Sequence, residues 1–203
     1  ACQTYEQCLQ LLSEKGWGDA ETGLNAEAML SKEEEKIWEI VKELHIPMET
    51  FNVLSYPKLF HNLKAAIKEV CTEEMERHIF YDDVSIPGEE MLAIVKEKEF
   101  DRLPKEMQEA AGEAYESLLH TRDGQMCDVI IDRAALEAIR KAGRDAKDAI
   151  IRDYAESTIA VADIKIAVRS AKTAKSLDFM NRAMAECDSL SVSQLAKAAL
   201  GGM

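Results

Sequence analysis

The chain has 203 residues with 47% hydrophobic content, enough for one large domain or two modest ones with a sizeable core, and a formal net charge of −13. That charge argues against direct binding to nucleic acid or to an anionic membrane surface, both of which reward Lys and Arg; it suits a basic protein partner, or plain solubility. Aromatics make up only 6%, Gly and Pro are scarce, and Ala, Glu, Lys, Leu and Ile dominate, so an all-α protein is expected.

Apolar residues recur at helical spacing nearly throughout. Ser31-Lys32-Glu33-Glu34 has the form of a capping box opening a helix with the stripe Ile37, Ile40, Val41 and Leu44, ended by Pro47. Ser55-Tyr56-Pro57 reads as the next helix start, with Leu59, Leu63, Ala66, Ile67 and Val70 on one face. Thr72 caps a further helix through about Phe80. A loop at 82–88 leads to a helix with Met91, Leu92 and Val95, and Leu103-Pro104 interrupts the pattern. Residues 105–120 are helical by Met107, Ala111, Ala114 and Leu118, and Asp123-Gly124 is a turn. Ile131, Ala135, Ala138 and Ala142 mark a short helix stopped by Gly143 as its C′ residue. The longest segment, about 145–176, carries Ile150, Tyr154, Ser157, Val161, Ile164 and Val168 alternately four and three apart; this stripe is read as belonging to a long antiparallel packing helix and not to a free coiled coil, because it lasts under three heptads and includes polar residues.

The two halves share a pattern. His61-Asn62-Leu63-Lys64-Ala65-Ala66-Ile67-Lys68 matches Ala162-Asp163-Ile164-Lys165-Ile166-Ala167-Val168-Arg169 in register, and Ser85-Ile86-Pro87-Gly88-Glu89-Glu90-Met91 parallels Ser189-Leu190-Ser191-Val192-Ser193-Gln194-Leu195, at offsets of 101 and 104 residues. Duplication implies two related helical subdomains, 1–104 and 105–203; chance likeness between amphipathic helices is the alternative. The chain begins at Ala1 without a methionine and stops at Met203 soon after a helix begins, so a trimmed piece of a longer protein is expected, with both repeats incomplete at the outer ends.

Several chemistries lack their residues. There is no G-x-x-x-x-G-K-[ST] loop, no G-x-S-x-G elbow, no H-E-x-x-H, and no His preceded at three residues by Glu, so neither nucleotide binding nor di-iron chemistry has its motif. Glu74/His78 and Glu116/His120 lie four apart and could share a metal, although such pairs are ordinarily solvated helix-face contacts. Asp82-Asp83 reads as a loop start as readily as an acidic site. Trp17 and Trp38 read as core or interface aromatics, with no basic clusters beside them. Cys2, Cys8, Cys71, Cys127 and Cys187 are odd in number and widely spread, which suggests neither a disulfide framework nor a zinc knuckle and fits a reducing cytoplasm. No apolar run approaches the roughly 20 residues of a membrane span, so membrane association is indirect. No catalytic residue, cofactor or metal is assigned.

Cys127-Asp128-Val129-Ile130-Ile131-Asp132-Arg133, then Arg152-Asp153-Tyr154 and the element at 162–169, resemble the family of C-type central-stalk subunits of bacterial and archaeal V-type ATPases, whose eukaryotic relatives are called d-type. Leu11-Leu12-Ser13-Glu14-Lys15-Gly16-Trp17-Gly18 and His61-Asn62-Leu63-Lys64 extend the likeness to the first half. The chain departs from the family where Ala162-Asp163 replaces the usual residues ending in Asn, and where Ala167-Val168 replaces a Leu-rich core. The resemblance implies a funnel-like fold of three related helical subdomains, about two of them supplied here. It further implies a non-catalytic piece of the central stalk that sits on the membrane rotor ring and receives the tip of the axle subunit beside the small stalk subunit. Such a protein would be cytoplasmic and peripheral to the membrane, coupling rotation to proton or sodium transport. Asn62, Lys64, Asp163, Lys165 and Arg169, on the duplicated helices, are the candidate partner contacts; a solvent-exposed polar face is the other reading. Outside this family, a generic helical-repeat interaction module accounts for the same absences, and a helical enzyme or metal protein is a third reading.

Overall fold

The computed structural model describes residues 2–72 and 79–201. Among these residues there are nine α-helices and no strand, so the all-α expectation holds: α1 Tyr5–Glu14, α2 Ala26–Glu43, α3 Asn52–Thr72, α4 Gly88–Glu97, α5 Lys105–Thr121, α6 Gly124–Asp145, α7 Ala149–Lys172, α8 Leu177–Ala183 and α9 Val192–Leu200. They fall into two compact units, Ala1–Met48 and Glu49–Met203. The likeness between the two halves of the sequence divides the chain elsewhere, at 104/105.

In the first unit, Thr4 caps α1 by accepting from the Gln7 amide at 3.2 Å, and Asn25 caps α2 by accepting from the Ala28 amide at 3.0 Å. Helix α2 therefore starts well before Ser31, and the expected capping box lies inside it. Glu33 instead accepts from the Gly18 amide at 2.9 Å, while Lys36 donates to the carbonyls of Gly16 and Gly18 at 3.2 and 3.1 Å and pairs with Glu33 at 2.5 Å. This holds the turn at 16–18, where Gly18 has φ +75° and an added Cβ would stand 2.5 Å from Thr22 Oγ1. Leu9 and Met29 are the buried apolar side chains; Ile37, Ile40 and Leu44, read from the sequence as a core stripe, are exposed.

In the second unit, α3 begins at Asn52, continuing a 3-10 turn, and runs through Pro57 instead of starting there. Proline inside a helix forfeits one backbone bond and costs about 3 kcal/mol. The two turns around it bury Val53, Tyr56, Leu59 and Phe60, each such side chain contributing about 1.5–3 kcal/mol, and burial wins. The helix expected from Thr72 to Phe80 lies largely outside the described residues. Helices α4 and α5 start where the loop at 82–88 and Pro104 place them. Asp123 accepts from the amides of Gln125 and Met126, each at 3.0 Å, and is the N-cap of α6.

Helix α6 is the centre of this unit and packs on α3, α5, α7 and α8. Its Ile131 and Ile139 are buried together with Leu63 and Ile67 of α3 and Met107 and Leu118 of α5. Two ion pairs, Lys64–Asp132 and Lys68–Asp128, each 2.6 Å, run in opposite sequence order and fix α3 and α6 as antiparallel neighbours; Lys141–Glu106 at 2.9 Å does the same for α5 and α6. Gly143 does not end α6, which continues to Asp145. It is a buried crossing point, where an added Cβ would lie 2.3 Å from Ala155 Cβ of α7.

Helix α7 reverses an expectation. The face turned into the unit is Ala155, Ile159, Asp163, Ala167 and Ser170, and the heptad-spaced stripe read from the sequence points out. Small residues let α7 approach α6 closely, and close approach outweighs the larger area of the Ile and Val stripe. The helix stops at Lys172, followed by Ala174 at φ 51°. Ser176 and Ser191 cap two short helices: α8 was not foreseen from the sequence, and α9 is the helix expected to begin near the C-terminal end; with Ala167 of α7 their Met180, Met184, Val192 and Ala196 form a second small core.

Candidate functional site

The five residues named from the duplicated helices separate into three kinds. Asn62 on α3 and Asp163 on α7, equivalent in the repeat, are both fully buried, and their side chains do not reach the surface. Asn62 donates from Nδ2 to the carbonyls of Tyr81 and Ile86 at 2.8 and 3.3 Å and accepts on Oδ1 from the Tyr81 amide at 2.8 Å. Asp163 accepts from the Ala185 amide at 3.1 Å. Each holds the loop leading into the next packed helix, α4 in one case and α9 in the other. A polar group on a buried face finds its partners within the protein, and each of these side chains has one in a loop.

Lys64 is half-buried and tied to Asp132. Lys165 and Arg169 are exposed on the outward side of α7, and no ion pair joins either among the described residues. Arg169 borders a cleft of about 510 Å³ between α6, α7 and α8, lined also by Asp128, Asp132, Lys175 and Phe179. A second, open groove of about 470 Å³ lies along α5 and α6, lined by Glu106, Glu109, Glu113 and Glu137 with Lys141, Arg133 and Arg182; Glu106, Glu113 and Glu137 are paired with these bases, and Glu109 is not. That groove was not foreseen, because its carboxylates come from two helices whose relative rotation no local spacing sets.

Burial pushes the Asp163 carboxyl up to about 6 from its ordinary 3.8; the Ala185 amide and Arg133 pull it down, Glu186 adds to the rise, and Oδ2 is buried with no hydrogen-bond partner among the described residues. Because the folded value is raised, the folded chain keeps a proton that the unfolded chain has lost. Stability therefore falls as pH rises from about 4 to about 6 and stays lower above that. We expect Asp163→Asn, which keeps the acceptor for Ala185 and removes the buried charge, to stabilise the chain by about 1–2 kcal/mol at pH 8 and by little at pH 4, as read by urea unfolding at both. Equal effects at the two pH values would contradict an ionised Asp163.

The other candidates resolve simply. Glu116 and His120 meet at 3.0 Å on an exposed face of α5, Asp83 pairs with Lys58, and Trp17 is partly exposed. Glu74 and His78 lie outside the described residues, and among those described no group of three or more His, Cys, Asp or Glu side chains could hold a metal ion. Nor is any described helix long and apolar enough to cross a membrane. Cys2 and Cys8 are exposed, whereas Cys71, Cys127 and Cys187 are buried and burial raises their thiols, that of Cys127 to about 11. A maleimide should label two thiols per chain in native buffer at pH 7 and all five after denaturation, counted by intact mass; a third fast thiol would show that the second unit opens readily.

Packed helices and buried polar groups that brace loops define an all-α protein. Residues 1–201 match the family described as ATP synthase (C/AC39) subunit, and the chain belongs to that family, which makes it part of a V-type rotary ATPase. Comparison with curated proteins and with solved structures finds no match.

Proposed function

We propose that the chain is a non-catalytic coupling piece of the central stalk, seated peripherally on the membrane rotor ring and receiving the axle subunit beside the small stalk subunit, for proton or sodium transport. The observation that carries this reading is family membership across residues 1–201. The packing supports it: a torque-bearing socket needs low compliance, and close-packed helices with loops tied to buried Asn62 and Asp163 supply it. Residues 1–104 and 105–203 would be two related repeats, each bracing one loop through the matched residue. In this reading the axle tip enters the groove on α5 and α6, where the exposed Glu109 meets a base and Glu106, Glu113 and Glu137 exchange their present partners. Lys165 and Arg169 are the exposed partner contacts in this reading, and Asn62, Lys64 and Asp163 hold the framework behind them.

The test is a titration of the full chain against the purified axle and small stalk subunits of the same organism at 50 and 500 mM salt. Binding should weaken at high salt, and Glu109→Lys with Glu113→Lys should weaken it at least fivefold at low salt. Absence of binding at either salt concentration would overturn the socket reading.

A further inference from the structure

Helix α7 is apolar on two faces. Its inward face is already occupied by the core of the second unit. On the outward face Ile150, Tyr154, Ser157, Val161, Ile164 and Val168 follow one another at spacings of four, three, four, three and four, the alternation of a coiled-coil seam. At 1.5 Å per residue the seam is about 27 Å long. Ile150 is 76% exposed, Tyr154 44%, Val161 48% and Ile164 44%. Scattered exposed apolar residues are ordinary, but a continuous seam along one helix face is not, and a helix apolar on two sides calls for two neighbours.

The spacing and the charge identify the occupant. Alternate steps of four and three are the heptad register in which a second helix keeps contact over several turns, whereas a strand or a small ligand has no use for it. Ser157, small and central, permits close approach there. Beside the C-terminal half of the seam stand Lys165, Arg169 and Lys172, all exposed and joined by no ion pair among the described residues. Elsewhere in the second unit the bases Lys64, Lys68, Arg102, Arg133, Lys141, Arg144 and Arg182 are paired with carboxylates. Lys96, Lys105, Lys147 and Lys197 are likewise exposed and in no ion pair among the described residues; what distinguishes Lys165, Arg169 and Lys172 is that they stand within two turns of one helix, where the acid in the same stretch, Asp163, is buried on the inward face.

We propose that the outward face of α7 is a docking seam for an acidic amphipathic helix, whose apolar stripe packs on Ile150 to Val168 and whose carboxylates meet Lys165, Arg169 and Lys172. The proposal rests on the coupling-piece reading only for the source of that helix, another component of the rotary complex. It concerns a face of α7, a different surface from the α5–α6 groove, so the two can fail separately.

The probe is a fluorescent 21-residue helical peptide with Leu and Ile on a heptad stripe and Glu at the flanking positions, used below its own self-association concentration. A twin peptide has each Glu replaced by Lys. Each is titrated by anisotropy against the full chain. The acidic peptide should bind at least tenfold more tightly than the basic twin and weaken with salt. Val161→Asp with Ile164→Asp should lose at least tenfold, and Lys165→Glu with Arg169→Glu should reverse the preference between peptides, with circular dichroism melts checking that each variant is folded. The charge-reversal pair keeps the seam intact and decides the matter if the apolar pair unfolds. Equal binding of both peptides, or no binding, would overturn the proposal. Binding indifferent to both variant pairs would overturn it too, showing that the peptide sits elsewhere. A chain that sediments as an oligomer and becomes monomeric only in the seam variants would assign the face to a second copy instead.

Discussion

Asn62→Ala should destabilise the second unit by about 3 kcal/mol, seen as a lower urea midpoint with an unchanged slope. The amide sits at zero exposure and satisfies three backbone groups of one loop, the Tyr81 amide and carbonyl and the Ile86 carbonyl. Alanine leaves these without their partner, at about 1–3 kcal/mol for each that stays dry, with solvent reaching the Tyr81 side most easily. The loop has other fastenings, among them the His61 ring nitrogen at 2.9 Å from the Ile79 carbonyl and the Lys58–Asp83 pair, so the chain should remain folded. Asn62→Asp sharpens the test. It preserves the acceptor for the Tyr81 amide but turns an oxygen toward two carbonyls, so at pH 7 it should cost at least as much as alanine. Part of that loss should return as the solution is acidified toward the ordinary carboxylate range, where a protonated Asp can donate again. A pH-independent Asp variant, or an alanine variant within 0.5 kcal/mol of the parent on the order of ordinary surface changes, would show that the loop does not depend on this amide.

The pairing of Asn62 with Asp163 also marks what could be read in advance. The likeness between the two segments was legible because an Asn/Asp, an aliphatic residue and a lysine recur in register, and each of the two acceptor side chains accepts from a loop amide. Their burial was not legible, since a polar residue at helical spacing reads as solvent-facing until the loop that covers it is known. The helical class, the break at Pro104 and the loop before Gly88 followed from local chemistry that needs no partner. The orientation of α7 did not. The seam of Ile150, Val161 and Ile164 carries the stronger apolar signal, while the face that packs is marked by Ala155, Ala167 and Ser170, whose contribution is closeness instead of area. Similarly, Asn25 and not the box at Ser31 starts α2, because the Asn25 side chain already accepts from the Ala28 amide and the helix is under way before Ser31 is reached.

Gly143→Val should cost about 3 kcal/mol, at the upper end of overpacking, for a reason that turns a misreading into a measurement. In the sequence Gly143 reads as the left-handed residue that closes a helix. In the structure it is helical, buried, and faces Ala155 so closely that a Cβ would stand 2.3 Å away, a distance that α7 must relieve by moving. Glycine in a helix interior costs about 1 kcal/mol relative to alanine, so at an uncrowded site Gly143→Ala would stabilise. Here the clash is with the Cβ of another helix, which cannot rotate away, and Gly143→Ala should be destabilising by about 1–2 kcal/mol. The decisive measurement is the double-mutant cycle with Ala155→Gly. Removing the opposing methyl should convert Gly143→Ala from destabilising to neutral or mildly stabilising, a coupling of at least about 1 kcal/mol. If Gly143→Ala stabilises the parent chain, or if Ala155→Gly fails to rescue it, then α6 and α7 do not cross at these two residues. The outward rotation of the α7 seam would then lose its structural basis, because the same close crossing that buries Ala155 turns Tyr154, Val161 and Ile164 away from the core.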